Sequence, residues 1–365
     1  MATLAQDEAF ARIRLLRSPN IGPVSYRQLL LRFGTAEQAL EALPDLASRG
    51  GSAYRPTVVA RIESEIAAVR AGGARYLFHD SADYPALLGE LESAPPILIV
   101  RGDSAIASRP CVAIVGARNA SAAAVKLARD FAVALSEAGF AVVSGLARGI
   151  DGAAHRGALN GAGGTIGVIA SGIDIAYPPE HAELQEQVAS HGLLIAEQPP
   201  GTEPLARHFP SRNRIIAGLA AGTVVVEAAP KSGSLITARL AGEAGREVMA
   251  IPGSPLEPRS QGCNQLIRDG AVLVQSADDV IELIEGFAGT PRSTFRESVA
   301  DFVFAETDTA EPADIANLLT RAPVAVDEII RQSGESTASV HLALLELELA
   351  GRLVRHAGAR VSLGG

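Results

Sequence analysis

Arg212, Arg214 and Lys231 flank the short apolar run Val224 to Val226, and Ser232, Ser234 and Thr237 follow it closely. Guanidinium forks supply permanent positive charge with paired donors, and the amides that open a helix attract the same ligands, so this grouping points to an anion site. The run itself is β-branched and bounded by Gly222 and Glu227. It reads as a buried strand of a parallel sheet, the kind of strand whose carboxyl end gathers ligands. Two earlier stretches repeat the pattern of strand followed by turn. In VAIVGARNAS, residues 112 to 121, Arg118 stands beside helix-opening amides and reads as a phosphate contact or as a solvated turn arginine. In SGLARGIDGAAH, residues 144 to 155, Gly145 and Gly149 permit a tight turn with close backbone approach, and two such turns on neighbouring strands make a groove. Asp151 and His155 lie four apart on the next helix; the favoured reading is a helix N-cap with a histidine bonded to it, ahead of an acid–base pair. Phe209, just before Arg212 and Asn213, is either a stacking platform for a nucleobase or a core phenylalanine.

Several catalytic chemistries lack their residues. Only Gly116 of a three-glycine dinucleotide fingerprint is present, and no acidic residue follows a second strand to take a ribose. No G-x-x-x-x-G-K-[ST] loop occurs, and no serine sits in a G-x-S-x-G elbow. The seven histidines form no metal-ligand pattern, and Cys111 and Cys263 are far apart, which fits reduced buried thiols. The residues alone therefore leave the anion open: a cofactor, a nucleotide or a polymer.

The elements that must hold these residues can be read from periodicity. The 365 residues predict two or three domains. Residues 1 to 75 read as a small helical domain, in which NIGPVSYRQLLLRFG resembles a helix-hairpin-helix, or SAM-like, unit with turns at Gly22 and Gly34; a plain packing module is the alternative. Residues 76 to 110 read as a bridge with strands around YLF and ILIVRG that extends the next sheet, with Pro85, Pro95 and Pro96 breaking any helix. From Cys111, apolar strands alternate with helical stretches, which predicts a doubly wound, mostly parallel α/β sheet within a core at 76 to 285. Residues 286 to 310 read as a linker. Residues 311 to 365 read as three helices and a hairpin, a winged helix with Thr337 to Leu349 in the recognition position. That helix carries two glutamates and no lysine or arginine, so docking to protein and reading of DNA both stand. The net charge of −9 argues against a polyanion-coating surface, although residues 1 to 75 hold ten arginines against seven acids. No apolar run could span a bilayer, and the start, MATLAQDEAF, resembles no leader, which predicts a cytoplasmic protein without membrane contact.

Six motifs in order then carry a family resemblance: VGAR at 115–118, SGLARGIDGAAH at 144–155, FPSRNRIIAGL at 209–219, VVVEAAPKSGSLITA at 224–238, GREVMAIPG at 245–253 and GCNQLIRDGA at 262–271. Together they resemble the DprA family of DNA-processing proteins, also called Smf. The resemblance implies a Rossmann-like core that binds single-stranded DNA without strong sequence preference, forms a homodimer through that core, and loads the RecA recombinase during natural transformation. It implies neither catalysis nor a cofactor. Carried onto this chain, the DNA pocket would use Arg118, Ser144, Gly145, Phe209, Arg212, Asn213, Arg214 and Lys231. Two alternatives stay open. Phosphoribohydrolases of nucleoside monophosphates share the architecture but carry a PGGxGTxxE-type signature where this chain reads PKSGSLITA. The end domains could also make the chain chiefly an interaction scaffold.

Overall fold

The structure, a computed structural model, describes residues 4–287, 312–356 and 358–364; the linker expected at 286–310 lies outside them from residue 288 onward. Residues 65–287 form one compact unit, and residues 4–64 with 312–364 form another.

The second of these begins with α1 (Gln6–Leu16), α2 (Pro23–Phe33) and α3 (Ala36–Arg49); α4 (Val59–Ala71) follows, and from residue 65 it belongs to the larger unit. The turns fall at the two glycines read from the sequence. Gly22 donates its amide to Ser25 Oγ at 2.9 Å ahead of Pro23 at the first helical position, and Gly34 takes φ 77° to end α2.

Nine strands form the sheet of the larger unit: β1 (Arg75–Phe78), β2 (Ile97–Gly102), β3 (Cys111–Val115), β4 (Ala141–Ser144), β5 (Thr165–Gly172), β6 (Leu193–Gln198), β7 (Gly222–Val225), β8 (Glu247–Ala250) and β9 (Val272–Leu273). Their order is β1-β2-β6-β5-β4-β3-β7-β8-β9. Strands β3 to β9 pair in parallel, while β1 and β2 extend one edge antiparallel, as the bridge reading expects. A single helical turn, α5 (Ala86–Gly89), forms there after all, because Pro85 precedes it and interrupts nothing. The chain winds outward from β3 to β6, returns, and continues from β7 on the other side of β3. That reversal between β3 and β7 is the switch point at which ligands of open α/β sheets bind.

The helices cover both faces. Val112, Ile114 and Val224 pack under α6 (Ala122–Glu137) and α7 (Ile150–Ala158). Ala113, Val115 and Val225 pack under α9 (His208–Leu219), α10 (Gly233–Glu243) and α11 (Gln261–Arg268). Strand β6 is covered by α8 (Ala182–His191), and α12 (Ala277–Phe287) joins the α6 face. Helix α9 starts at His208, five residues earlier than its apolar run suggests. Pro210 is tolerated because it sits in the first turn, where its missing amide has no partner to lose. Phe209 and Arg212 therefore stand on a helix.

The tail contains α13 (Pro312–Asn317), α14 (Val326–Ser333) and α15 (Thr337–Leu349), with a three-stranded sheet of β10 (Val324–Ala325), β12 (Arg360–Leu363) and β11 (Leu353–His356). Helix α15 is apolar on two sides. Val340, Ala343, Leu344 and Leu347 fill the core of the winged helix, whereas Leu342, Leu345 and Leu349 join Leu29, Leu43 and Leu46 of α2 and α3. Asn20 Nδ2 donates to Leu349 O at 3.1 Å and Arg352 Nη1 to Gly50 O at 3.3 Å. A Cβ on Gly50 would lie 2.2 Å from Glu346 O, so only glycine fits this approach. The helix in the recognition position is thus committed to the N-terminal helices. Among the described residues no helix is long and apolar enough to cross a membrane.

Candidate nucleic-acid interface

Two turns at the carboxyl ends of β3 and β4 build one wall. In the first, Ala117 donates its amide to Glu227 O at 2.7 Å and Ser121 donates its amide to Glu227 Oε2 at 2.8 Å. Glu227 is buried at the end of β7, so it ties the Arg118 turn to the neighbouring strand and leaves Arg118 itself exposed. Sequence reasoning used Glu227 only as a strand boundary. The adjacent β3 and β7 ends were the available clue.

In the second turn the Ser144 hydroxyl donates to Ile114 O at 2.6 Å, and the Gly145 amide donates to Asp151 Oδ2 at 3.1 Å. Leu146 takes φ 55°, donates its amide to His155 Nε2 at 3.3 Å, and accepts from His181 Nδ1 at 2.9 Å. A Cβ on Gly149 would lie 2.3 Å from Ala117 O, which is how closely the two turns approach. Asp151 and His155 do not bond to each other, and the N-cap of α7 is Gly149. Both side chains hold the turn from beneath, which corrects the N-cap reading. His155 Nδ1 donates in turn to Thr165 Oγ1 at 2.8 Å, and burial, reinforced by His181 and Arg212, pushes its pKa down to about 3. The ring is neutral and locked.

Against these turns, α9 and the start of α10 enclose a cavity of about 650 Å³. Arg118, Phe209, Arg212, Asn213 and Lys231 line it together with the first turn of α10. Arg212 is buried, its Nη1 stands 4.0 Å from Asp151 Oδ2, and its Nε has no hydrogen-bond partner among the described residues. Burial pushes the Asp151 pKa up and the Arg212 pKa down; their mutual attraction opposes both shifts, and Arg118 adds to the second by repulsion. The cavity thus concentrates positive charge from Arg118, Arg212 and Lys231 against one internal carboxylate. Gly145 makes room for it, since a Cβ there would fall 1.3 Å from Arg212 Nη1. The guanidinium carbons of Arg118 and Arg212 sit 5.1 and 5.9 Å from the centre of the Phe209 ring. Ser232 caps α10, and Asn213 Nδ2 donates to Gly233 O at 3.5 Å. The first turn of α10 lines the cavity beside Lys231, and a helix N-terminus next to a cation suits phosphate.

Three of the residues read from the sequence stand apart from this lining. The Ser144 hydroxyl is spent inside the sheet, and Gly145 acts through the space it leaves. Arg214, two residues along α9 from Arg212 and so on a different face, pairs with Glu197 and donates to Ser93 O at 2.6 Å. Burial raises both thiols, Cys111 to about 12 and Cys263 to about 11, which keeps them unreactive.

Comparison with known proteins finds family matches for each part of the chain. The family described as DNA recombination-mediator protein A matches residues 75–285, the DprA-like N-terminal HHH domain residues 6–68, and the DprA winged helix domain residues 305–359. Protein Smf of Synechocystis is 34% identical over 315 residues, covering 78% of this chain and 79% of its own. The DNA processing protein DprA of Streptococcus pneumoniae is 46% identical over 202 residues, covering 55% and 71%. The crystal structure of that protein superposes with a TM-score of 0.64 at 36% identity, over 77% of this chain and 98% of the other. DNA processing protein A from Helicobacter pylori, whose structure was solved for its single-stranded DNA binding mode, gives a TM-score of 0.53 at 28% identity, over 58% and 96%. The chain belongs to the DNA recombination-mediator protein A family.

Proposed function

We propose that the cavity at the β3 and β7 ends binds the backbone of single-stranded DNA without strong sequence preference, and that the chain mediates recombination without catalysing a reaction. The observation that carries this reading is Arg212: a buried guanidinium whose Nε has no hydrogen-bond partner and whose nearest counter-charge is 4.0 Å away among the described residues, lining the same cavity as Arg118 and Lys231. A phosphate in the cavity would pair with these cations, and an extended polymer would present one phosphate after another. Phe209 would stack on a base regardless of its identity, because every base has a π-face. Ser144, Gly145 and Arg214 support the wall from outside the lining. The absence of strong sequence preference fits the phosphate-directed chemistry of the lining. The non-catalytic reading is supported by the state of the acidic and basic groups, since Asp151, His155 and Glu227 are all engaged in holding turns.

The wider role follows the family: a cytoplasmic protein that loads the RecA recombinase on single strands in natural transformation, as a homodimer through the Rossmann-like core. Val272 and Leu273 on the edge strand β9 are exposed, and an apolar edge of this kind favours pairing with a second copy. The test is fluorescence anisotropy of a labelled oligothymidylate with the full chain. Arg118→Ala and Lys231→Ala should each weaken binding and flatten its salt dependence; unchanged affinity in both folded variants would remove the site.

A further inference from the structure

The aromatic surface continues beyond the cavity. Tyr177, in the loop after β5, sets its ring edge-to-face with Phe209, the centroids 5.7 Å apart and the planes 63° apart. It is 40% exposed, although none of the cavity-lining groups requires a second aromatic ring outside the lining. An edge-to-face pair leaves ring surface available, and stacking proteins use such rings for successive bases. A cation belongs to the same neighbourhood: Arg148, in the turn that holds Gly145, pairs with Glu180, three residues beyond Tyr177. The Arg148 side chain is 63% exposed and that of Glu180 48% exposed. Water screens an exposed pair of this kind, so Arg148 can exchange Glu180 for a phosphate at little cost.

We propose that Tyr177 and Arg148 form a second nucleotide subsite next to the cavity, with a base on the exposed Tyr177 ring and its phosphate on Arg148. The proposal rests on the single-strand reading above and extends it: the strand leaves the Arg118, Arg212 and Lys231 cavity, passes Phe209, and continues over Tyr177. The subsite takes any base, because a phenol ring and a guanidinium carry no code for base edges.

The experiment is a titration of the full chain with labelled oligothymidylates of increasing length, for wild type, Tyr177→Ala, Tyr177→Phe and Arg148→Gln. Wild type must bind these strands; if it does not, the single-strand reading itself fails. Given that binding, Tyr177→Ala should lose about five- to a hundredfold in affinity on long strands, with the loss growing with strand length, and Tyr177→Phe should restore it. Arg148→Gln should lower the salt slope by about 0.7, whereas Tyr177→Ala leaves the slope in place. Wild-type affinity in both Tyr177→Ala and Arg148→Gln overturns the subsite. So does a Tyr177→Ala loss that is equal at every length, which would make the ring a mere prop for Phe209.

Discussion

The space at Gly145 allows the Arg212 position to be tested without altering any charge. Gly145 lies outside the left-handed region, so alanine can adopt its backbone. The added methyl would meet Arg212 Nη1 at 1.3 Å and Cζ at 2.4 Å, and the guanidinium must retreat by about 2 Å to reach ordinary contact at 3.4 Å. The obstacle is the far end of a flexible side chain, so Gly145→Ala should fold with Arg212 displaced. What is lost is the aim of one guanidinium at the cavity. A hydrogen bond to a charged group is worth about 1.5–3 kcal/mol, which converts to about a ten- to hundredfold fall in single-strand affinity and a salt slope reduced by about 0.7. The assay is anisotropy across a salt series, with a double-mutant cycle. Once Arg212 is truncated the methyl has nothing to displace, so Gly145→Ala combined with Arg212→Ala should bind no worse than Arg212→Ala alone. Wild-type affinity in Gly145→Ala, or fully additive losses in the pair, would refute the placement of Arg212.

Three further outcomes follow from the same contacts. His155 is held near pKa 3 against about 6.5 when unfolded, so the unfolded chain binds the extra proton between those values; its contribution is complete above pH 6.5 and falls by about 1.4 kcal/mol per unit as pH drops below it. Thermal melts from pH 7 to pH 5 should show a smaller loss in His155→Gln than in wild type, and identical profiles would contradict the buried neutral ring. Arg214→Met should lower the melting temperature by breaking the largely buried pair with Glu197 while the salt slope of DNA binding stays at the wild-type value; a reduced slope would return Arg214 to the DNA track. Leu345→Ala should destabilise by about 2–5 kcal/mol in chemical denaturation, because Leu345 is buried between α15 and the N-terminal helices; an unchanged midpoint would deny that packing.

Much of this fold was legible because β-branched runs such as Val224 to Val226 have no other use at that length, and their alternation with helical stretches implies a parallel sheet. Arg118, Phe209, Arg212 and Lys231 could be grouped because turns after such strands converge at the switch point. The separation of Arg212 from Arg214 needed the start of α9. Once the helix begins at His208, Arg212 joins Arg214 on it and a spacing of two sends the side chains to different faces, a distinction invisible while the helix was read only from about Asn213. The roles of Glu227 and Asp151 were illegible for another reason: each bonds backbone amides, and amides carry no sequence signal. The commitment of α15 had a trace in the sequence. A helix with Val340, Leu342, Leu344, Leu345, Leu347 and Leu349 is apolar all round, which is the mark of burial on two sides rather than of a helix facing a groove.

The most direct test of the central claim is an equilibrium competition with the full wild-type chain. A labelled single strand is bound at fixed salt and challenged with unlabelled single-stranded or duplex DNA of equal length and mixed sequence. The cavity, with its buried Arg212 and its stacking ring, predicts that single strands compete efficiently whatever their sequence and that duplex competes poorly. Efficient competition by duplex with none by single strands would contradict it.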